Sequence, residues 1–249
     1  MHTTIAYSAL LAEHLAQWWT VPAVPDPHIK TEGNYIYMGI MNKIIGYFSL
    51  PGTTATMVRL TSPSIRRINP YHIVPFETAI IPAADVFRAF WPDIALELEP
   101  TEGLECEQYI SAAEVVGHII FLAETIPEPI RGNIHTIRFT CEPDPNVGTW
   151  AFSEITLIDD LPVGSYNIVG ARLVLATGIA FRFVPVGGTH RPGGVCSTGI
   201  EVEEPKLQRH GGLGVWCSFD HGLEPGIEVL TNNDAAKATL TGYMDIIPV

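Results

Sequence analysis

The hydrophobic pattern of the chain changes character once, near Ile29. Before it, Tyr7, Leu11, Leu15 and Trp18 recur at three- and four-residue intervals behind Thr3 and Thr4, a spacing that predicts a helix over residues 3–19 with one apolar stripe. Pro22, Pro25 and Pro27 end that pattern. Each proline removes a donor and biases its predecessor toward extended backbone, so residues 21–28 read as a stiff connector. An amphipathic helix on such a hinge can close over its own core or reach a neighbouring subunit, and Tyr7, Leu11, Leu15 and Trp18 are the candidate assembly contacts.

From Ile29 onward, short runs rich in Ile, Val, Tyr, Phe and Thr alternate with Pro and Gly, the signature of strands and turns. Residues 35–41, 43–50 and 55–61 are the clearest early strands, with Pro51-Gly52 marking a turn. Four prolines between Pro63 and Pro82 predict loops and short edge segments. Phe87, Phe90 and Trp91 share a helical face ahead of Pro92, which predicts a short internal helix over 83–91. Strands at 94–98, 105–110 and 115–123 close this half.

Pro127, Pro129 and Gly132 make residues 125–132 the best linker in the chain. Beyond it, eight candidate strands between Ile134 and Ile247 are separated by turn signals, the count of a jelly roll. The expected organisation is therefore all-β: a helix and connector at 1–28, a first β-sandwich at 29–124, and a second jelly-roll-like sandwich at 133–249. Two internal echoes support a tandem arrangement. Gly33-x-Tyr35-x-x-x-Gly39 returns 131 residues later as Gly164-x-Tyr166-x-x-x-Gly170. Leu98-Glu99-Pro100 and Leu223-Glu224-Pro225 each precede a glycine, Gly117 and Gly242, that lies 19 residues after the leucine. A defect remains, since residues 134–158 need a counterpart near 2–27, where the pattern predicts the helix.

Composition narrows the function classes. The chain is 47% hydrophobic and only 16% charged, which points to surface hidden in an oligomer. A net charge of −13 repels a phosphate backbone, so direct nucleic-acid binding is not expected. Cys106, Cys141, Cys196 and Cys217 lack C-x-x-C or zinc-like spacing and read as buried thiols. Charges interrupt every long apolar stretch, so no transmembrane segment is expected, and the N-terminal stretch lacks the pattern of a secretion signal.

Candidate chemistry is sparse. Loop residues 187–194 are glycine-rich around His190 but lack the lysine of a phosphate-binding loop. His190, His210 and His221 with Asp220 are the residues able to hold a metal at one end of the second barrel. Structural calcium falls to Glu201, Glu203 and Glu204, or to Asp159-Asp160, although bunched carboxylates ordinarily form a solvated rim. Cys217 and His221 supply the residue types of a nucleophile and base, but four positions along a strand and turn separate them. Tyr35 and Tyr166 suit either packing or a sugar or protein partner.

Two consecutive β-sandwiches, the internal echoes, the short helix at 83–91 and the boundary at 125–132 together resemble the double jelly-roll capsid proteins of double-stranded DNA viruses. The resemblance implies two eight-stranded barrels side by side, assembling with copies of themselves, as trimers or larger assemblies, and with other shell proteins into a virion after synthesis in the host cytoplasm, with no cofactor. A lectin-like or adhesion module is the alternative, and a cupin-type metal enzyme a third, although cupin-type paired histidines one residue apart are absent.

Overall fold

The computed structural model describes residues 1–11, 17–50, 57–66, 71–73, 88–89, 95–110, 114–197, 208–231 and 237–249. The protein is almost entirely β, and its strands form four antiparallel sheets, two in each half.

In the first half, eight strands make the frame: β1 His2–Leu11, β2 Gln17–Val21, β5 Lys43–Leu50, β6 Met57–Thr61, β7 Tyr71–Ile73, β8 Arg88–Ala89, β10 Gly103–Ile110 and β11 Glu114–Ala123. The hairpin of β3 Lys30–Glu32 and β4 Tyr35–Tyr37 and the short β9 Leu96–Glu97 are additions to it, and α1 is a single turn at Pro63–Arg66. One sheet runs β1-β11-β5-β8 and the other joins β2, β10, β6 and β7. Counted along the frame, the first strand pairs with the eighth, the second with the seventh, the third with the sixth and the fourth with the fifth. The eighth also pairs with the third and the seventh with the fourth, as in a long hairpin rolled into two sheets.

The second half repeats this order with β12 His135–Cys141, β13 Ala151–Ser153, β15 Ser165–Leu173, β16 Gly178–Val184, β17 Gly193–Val195, β18 Cys217–Asp220, β19 Gly226–Thr231 and β20 Leu240–Pro248. β14 Ile155–Leu157 extends the edge beside β12. Every frame pairing of the first half has its counterpart here. The chain is thus two jelly rolls in tandem.

Residues 2–11 and 17–21 are strands, which corrects the expected N-terminal helix and its separation from the first sandwich. They are the missing opening strands of the first roll. The physical reason lies in burial. Along β1 and β11, Ile5, Tyr7, Ile120 and Leu122 face the core shared with β6 and β10, whereas Ala6, Ile119, Phe121 and Ala123 face the core of the second roll. A strand buried on both faces loses the polar alternation that identifies strands, and the apolar positions left over fell by coincidence at helical intervals. Tyr7 is consequently no assembly contact: it is fully buried and donates from its hydroxyl to the Leu104 carbonyl at 2.6 Å. Trp18 is half-buried on β2, edge-on to Tyr109 and 4.0 Å from the Arg59 guanidinium carbon. Leu15 lies outside the described residues, and Leu11 ends β1 opposite Glu114. Of the expected helix at 83–91, Arg88–Ala89 are a strand paired with Gly46 and Tyr47, and the remaining positions lie outside the described residues.

The two echoes separate cleanly. Tyr35 is on the added hairpin and Tyr166 on the third frame strand of the second roll, so Gly-x-Tyr-x-x-x-Gly marks no equivalent position. The other echo does. Gly117 lies on the eighth strand opposite Ser8 of the first and Leu50 of the third, and Gly242 lies on the eighth strand opposite Phe139 of the first and Leu173 of the third. Both glycines admit a bulky neighbour: a Cβ on Gly117 would stand 2.8 Å from Ile179 Cγ2, and one on Gly242 would stand 2.2 Å from Phe139 Cζ.

Because Ile179 belongs to the second roll, Gly117 sets how closely the rolls approach. Gly117→Ala is expected to destabilise by about 1–3 kcal/mol through overpacking. In a double-mutant cycle with Ile179→Ala, denaturant titration should show a favourable coupling of about 1 kcal/mol or more, while strict additivity would place the two residues out of contact.

Candidate functional site

The rolls meet along the outer edge of β1. Strand β11 satisfies one side of it, and the other side carries N–H and C=O groups that burial would leave unsatisfied. Four of these groups have named partners. The Thr4 N–H donates to the Arg191 carbonyl at 2.8 Å and the Thr4 carbonyl accepts from Arg182 Nη1 at 3.1 Å. The Ala6 carbonyl accepts from the Val24 N–H at 2.9 Å, and the Ser8 N–H donates to the Pro22 carbonyl at 3.1 Å. The proline-rich connector therefore acts as an edge cover, and its extended backbone is what the prolines favour.

Arg182 is the centre of the join. It sits in a buried strand, donates from Nε to Glu228 Oε2 at 2.6 Å, bonds Asp26 Oδ2 through Nη1, and lies 4.1 Å from the ring of Trp150. Asp26 is itself positioned by Pro25 and Pro27, and its Oδ1 accepts from the backbone N–H groups of His28 and Ile29 at 2.7 and 3.1 Å. Beside it Arg191 reaches His28 Nε2 and the carbonyls of Gly188 and His190. His2 fills the other end of the seam. It is fully buried, edge-on to Phe121 and Trp216, with Nε2 at 3.0 Å from the Gly193 carbonyl, and burial lowers its pKa to about 4. In the first core His118 meets Gln108 Oε1 at 2.6 Å, and burial lowers it to about 3.

Next to this join the second roll is open at one end. A groove of about 600 Å³ is bounded by β13, the loop after β16 and the turn after β18. Three apolar side chains stand exposed on its rim, Phe152 at 55%, Val186 at 70% and Leu223 at 59%. Glu154, Glu224 and Arg191 supply its charge. Gly187 and Gly188 belong to the lining, so the glycine-rich loop shapes this groove.

The proposed metal residues do not converge. His190 sits in the loop that borders the groove, partial burial lowering its pKa, and Asp220 and His221 precede the groove turn. Asp220 accepts from Ser165 Oγ at 2.5 Å and the His221 N–H donates to the Gly164 carbonyl. His210 is elsewhere, with positive φ, its backbone N–H bonded to Asp245 Oδ2 at 3.0 Å. Asp245 is fully buried. Desolvation pushes its pKa up, yet hydrogen bonds from Arg209, Thr136 and the His210 N–H outweigh this and hold it below the usual carboxylate range. Among the described residues no three His, Cys, Asp or Glu side chains form a metal-ready group. Glu201, Glu203 and Glu204 lie outside the described residues, and Asp159 is engaged by Arg138 at 2.5 Å. All four cysteines are buried free thiols, and burial pushes Cys217 up to about 12, which leaves it no thiolate for nucleophilic work beside the exposed His221. Sequence reasoning missed Arg182. Its signal was a charge inside the apolar run Ile179-Ala180-Phe181-Arg182-Phe183-Val184.

Comparison with protein-family models, curated proteins and solved structures finds no match for this chain. No helix among the described residues is long and apolar enough to cross a membrane.

Two outcomes test the join. Asp26→Ala should cost about 3–5 kcal/mol in denaturant unfolding, since it strips a partner from a buried guanidinium, whereas Asp159→Ala at an exposed pair should leave the unfolding midpoint close to that of the parent. For pH, both histidines have folded pKa values below the unfolded value of about 6.5, so between these limits the unfolded chain binds more protons. Stability contributed by the neutral rings is complete above about pH 6.5 and declines as pH falls toward 4 and then 3. The His2→Gln, His118→Gln double variant should lose less stability between pH 7 and 4 than the parent; an equal loss would assign the acid sensitivity to carboxylates.

Proposed function

We propose that this protein is a structural subunit of a viral capsid or similar protein shell that assembles with copies of itself and acts in the virion. The observation that carries the reading is the tandem repetition of one complete jelly-roll strand order, with the rolls locked through a sheet buried on both faces. A shell subunit needs a wide, stiff body, and two rolls sharing a continuous core supply one. The low charged fraction and the exposed Phe152, Val186 and Leu223 rim fit a surface that a neighbouring copy covers. The acidic balance fits a coat that leaves genome neutralisation to other components.

Light scattering across a concentration series with negative-stain microscopy tests this. Trimers, sheets or closed shells are expected, and a monodisperse monomer at high concentration would overturn the reading. Phe152→Glu with Leu223→Glu should shift the distribution toward monomer and leave the unfolding midpoint unchanged, because both side chains are already exposed.

A further inference from the structure

The groove beside the join has a second feature next to it on the same surface. Residues 158–164 link β14 to β15, and the fold carries this loop against the groove: in the turn after β18, the His221 N–H donates to the Gly164 carbonyl at 2.9 Å. Val163 projects from the loop at 91% exposure, the highest of any large apolar side chain among the described residues. The backbone under it is held firmly. Leu161 is buried in the core of the second roll, Pro162 fixes its own φ, and the Tyr166 hydroxyl donates to the Pro162 carbonyl at 2.7 Å.

A rigid apolar knob therefore stands beside a recess of about 600 Å³ with Phe152, Val186 and Leu223 exposed on its rim. So exposed a side chain leaves the recess of its own chain unfilled. Two copies can meet about a two-fold axis only through a patch complementary to itself, and a knob next to a recess satisfies that condition. A knob already fixed in place also loses little conformational freedom on docking. Charge disfavours an anionic lipid surface as the occupant. Asp160 is exposed in the loop, Glu154 and Glu224 line the recess, and Arg191 in the lining is engaged by His28 and two loop carbonyls.

Resting on the shell-subunit reading, we propose that the copy covering this rim docks by a two-fold exchange, in which the Pro162-Val163 knob of each protomer enters the recess of the other against Phe152 and Leu223. The exchange brings carboxylates of the two copies together, so apolar contact outweighs a repulsion that salt screens. A two-fold contact closes on itself, and a shell combines it with a second kind of contact elsewhere on the subunit.

Cysteine cross-linking of the full chain tests the exchange. All four native thiols are buried, so the parent should form no disulfide dimer under mild oxidation. Val163→Cys and Leu223→Cys proteins, mixed and oxidised, should give a mixed dimer several-fold in excess of either homodimer. In sedimentation equilibrium, Val163→Glu should weaken association about tenfold or more and leave the unfolding midpoint unchanged, since the side chain is already exposed. Raising salt from about 0.05 to 0.5 M should tighten association of the parent. Association that ignores Val163→Glu, that weakens with salt, or that yields Leu223→Cys homodimers as readily as the mixed dimer overturns the exchange and leaves the shell reading standing. Binding of phosphatidylcholine vesicles that Val163→Glu abolishes, without a mixed dimer, assigns the patch to a lipid surface and overturns it too. A monomer under every condition overturns both readings.

Discussion

The structure depends on burying one sheet from both sides. Strands β1, β11 and β5 place alternate side chains into two different cores, so removing either roll would expose a full apolar face of the other. Apolar burial of this kind is the dominant favourable contribution to association, and it is non-directional. It fixes that the rolls meet but leaves open how they are turned. Orientation comes from the polar edge of β1, where Thr4 bonds Arg191 and Arg182 of the second roll and Ala6 and Ser8 bond the connector.

That division of labour explains the charged residues in the seam. Asp26 and Arg182 are both almost fully buried, and taking two ions out of water costs about as much as their attraction returns. The pair contributes little net stability compared with a well-packed apolar substitute. Its effect is selective: Glu228 stays beside Arg182 within the second roll, but any other docking strips the guanidinium of Asp26 and the Thr4 carbonyl, which is a large penalty for misassembly. Gln208 does similar work within the second roll. Its amide exchanges hydrogen bonds with both backbone groups of Val195, as the backbone of a paired strand does.

Legibility in the sequence tracked exposure. Seven strands of the second roll stand near their expected places, because strands such as β12 alternate exposed and buried residues over part of their length, whereas β17 ends at Val195, where the expected strand 195–202 begins, and residues 198–202 lie outside the described residues. The first two strands of the first roll were misread because their solvent face had been exchanged for a second core. The prolines marked residues 21–28 as a connector, yet nothing in its local pattern could reveal that Asp26 reaches Arg182, 156 residues away.

The echo that proved structural also shows how the rolls differ. Leu98 and Leu223 both lead into the seventh frame strand, after the same Leu-Glu-Pro phrase. In the first roll Leu98 is buried at 2% and fastened to Asn42 by two hydrogen bonds, of 3.0 and 2.7 Å. In the second roll Leu223 is 59% exposed on the groove rim, held only by the tight turn back to the Asp220 carbonyl. One frame with one local phrase has thus been closed in the first case and left open in the second. A single exposed leucine is ordinary on a protein surface, so the grouping on the rim is what carries information. With Phe152 and Val186, Leu223 puts three exposed apolar side chains on one groove rim, the patch on which the shell-subunit proposal rests.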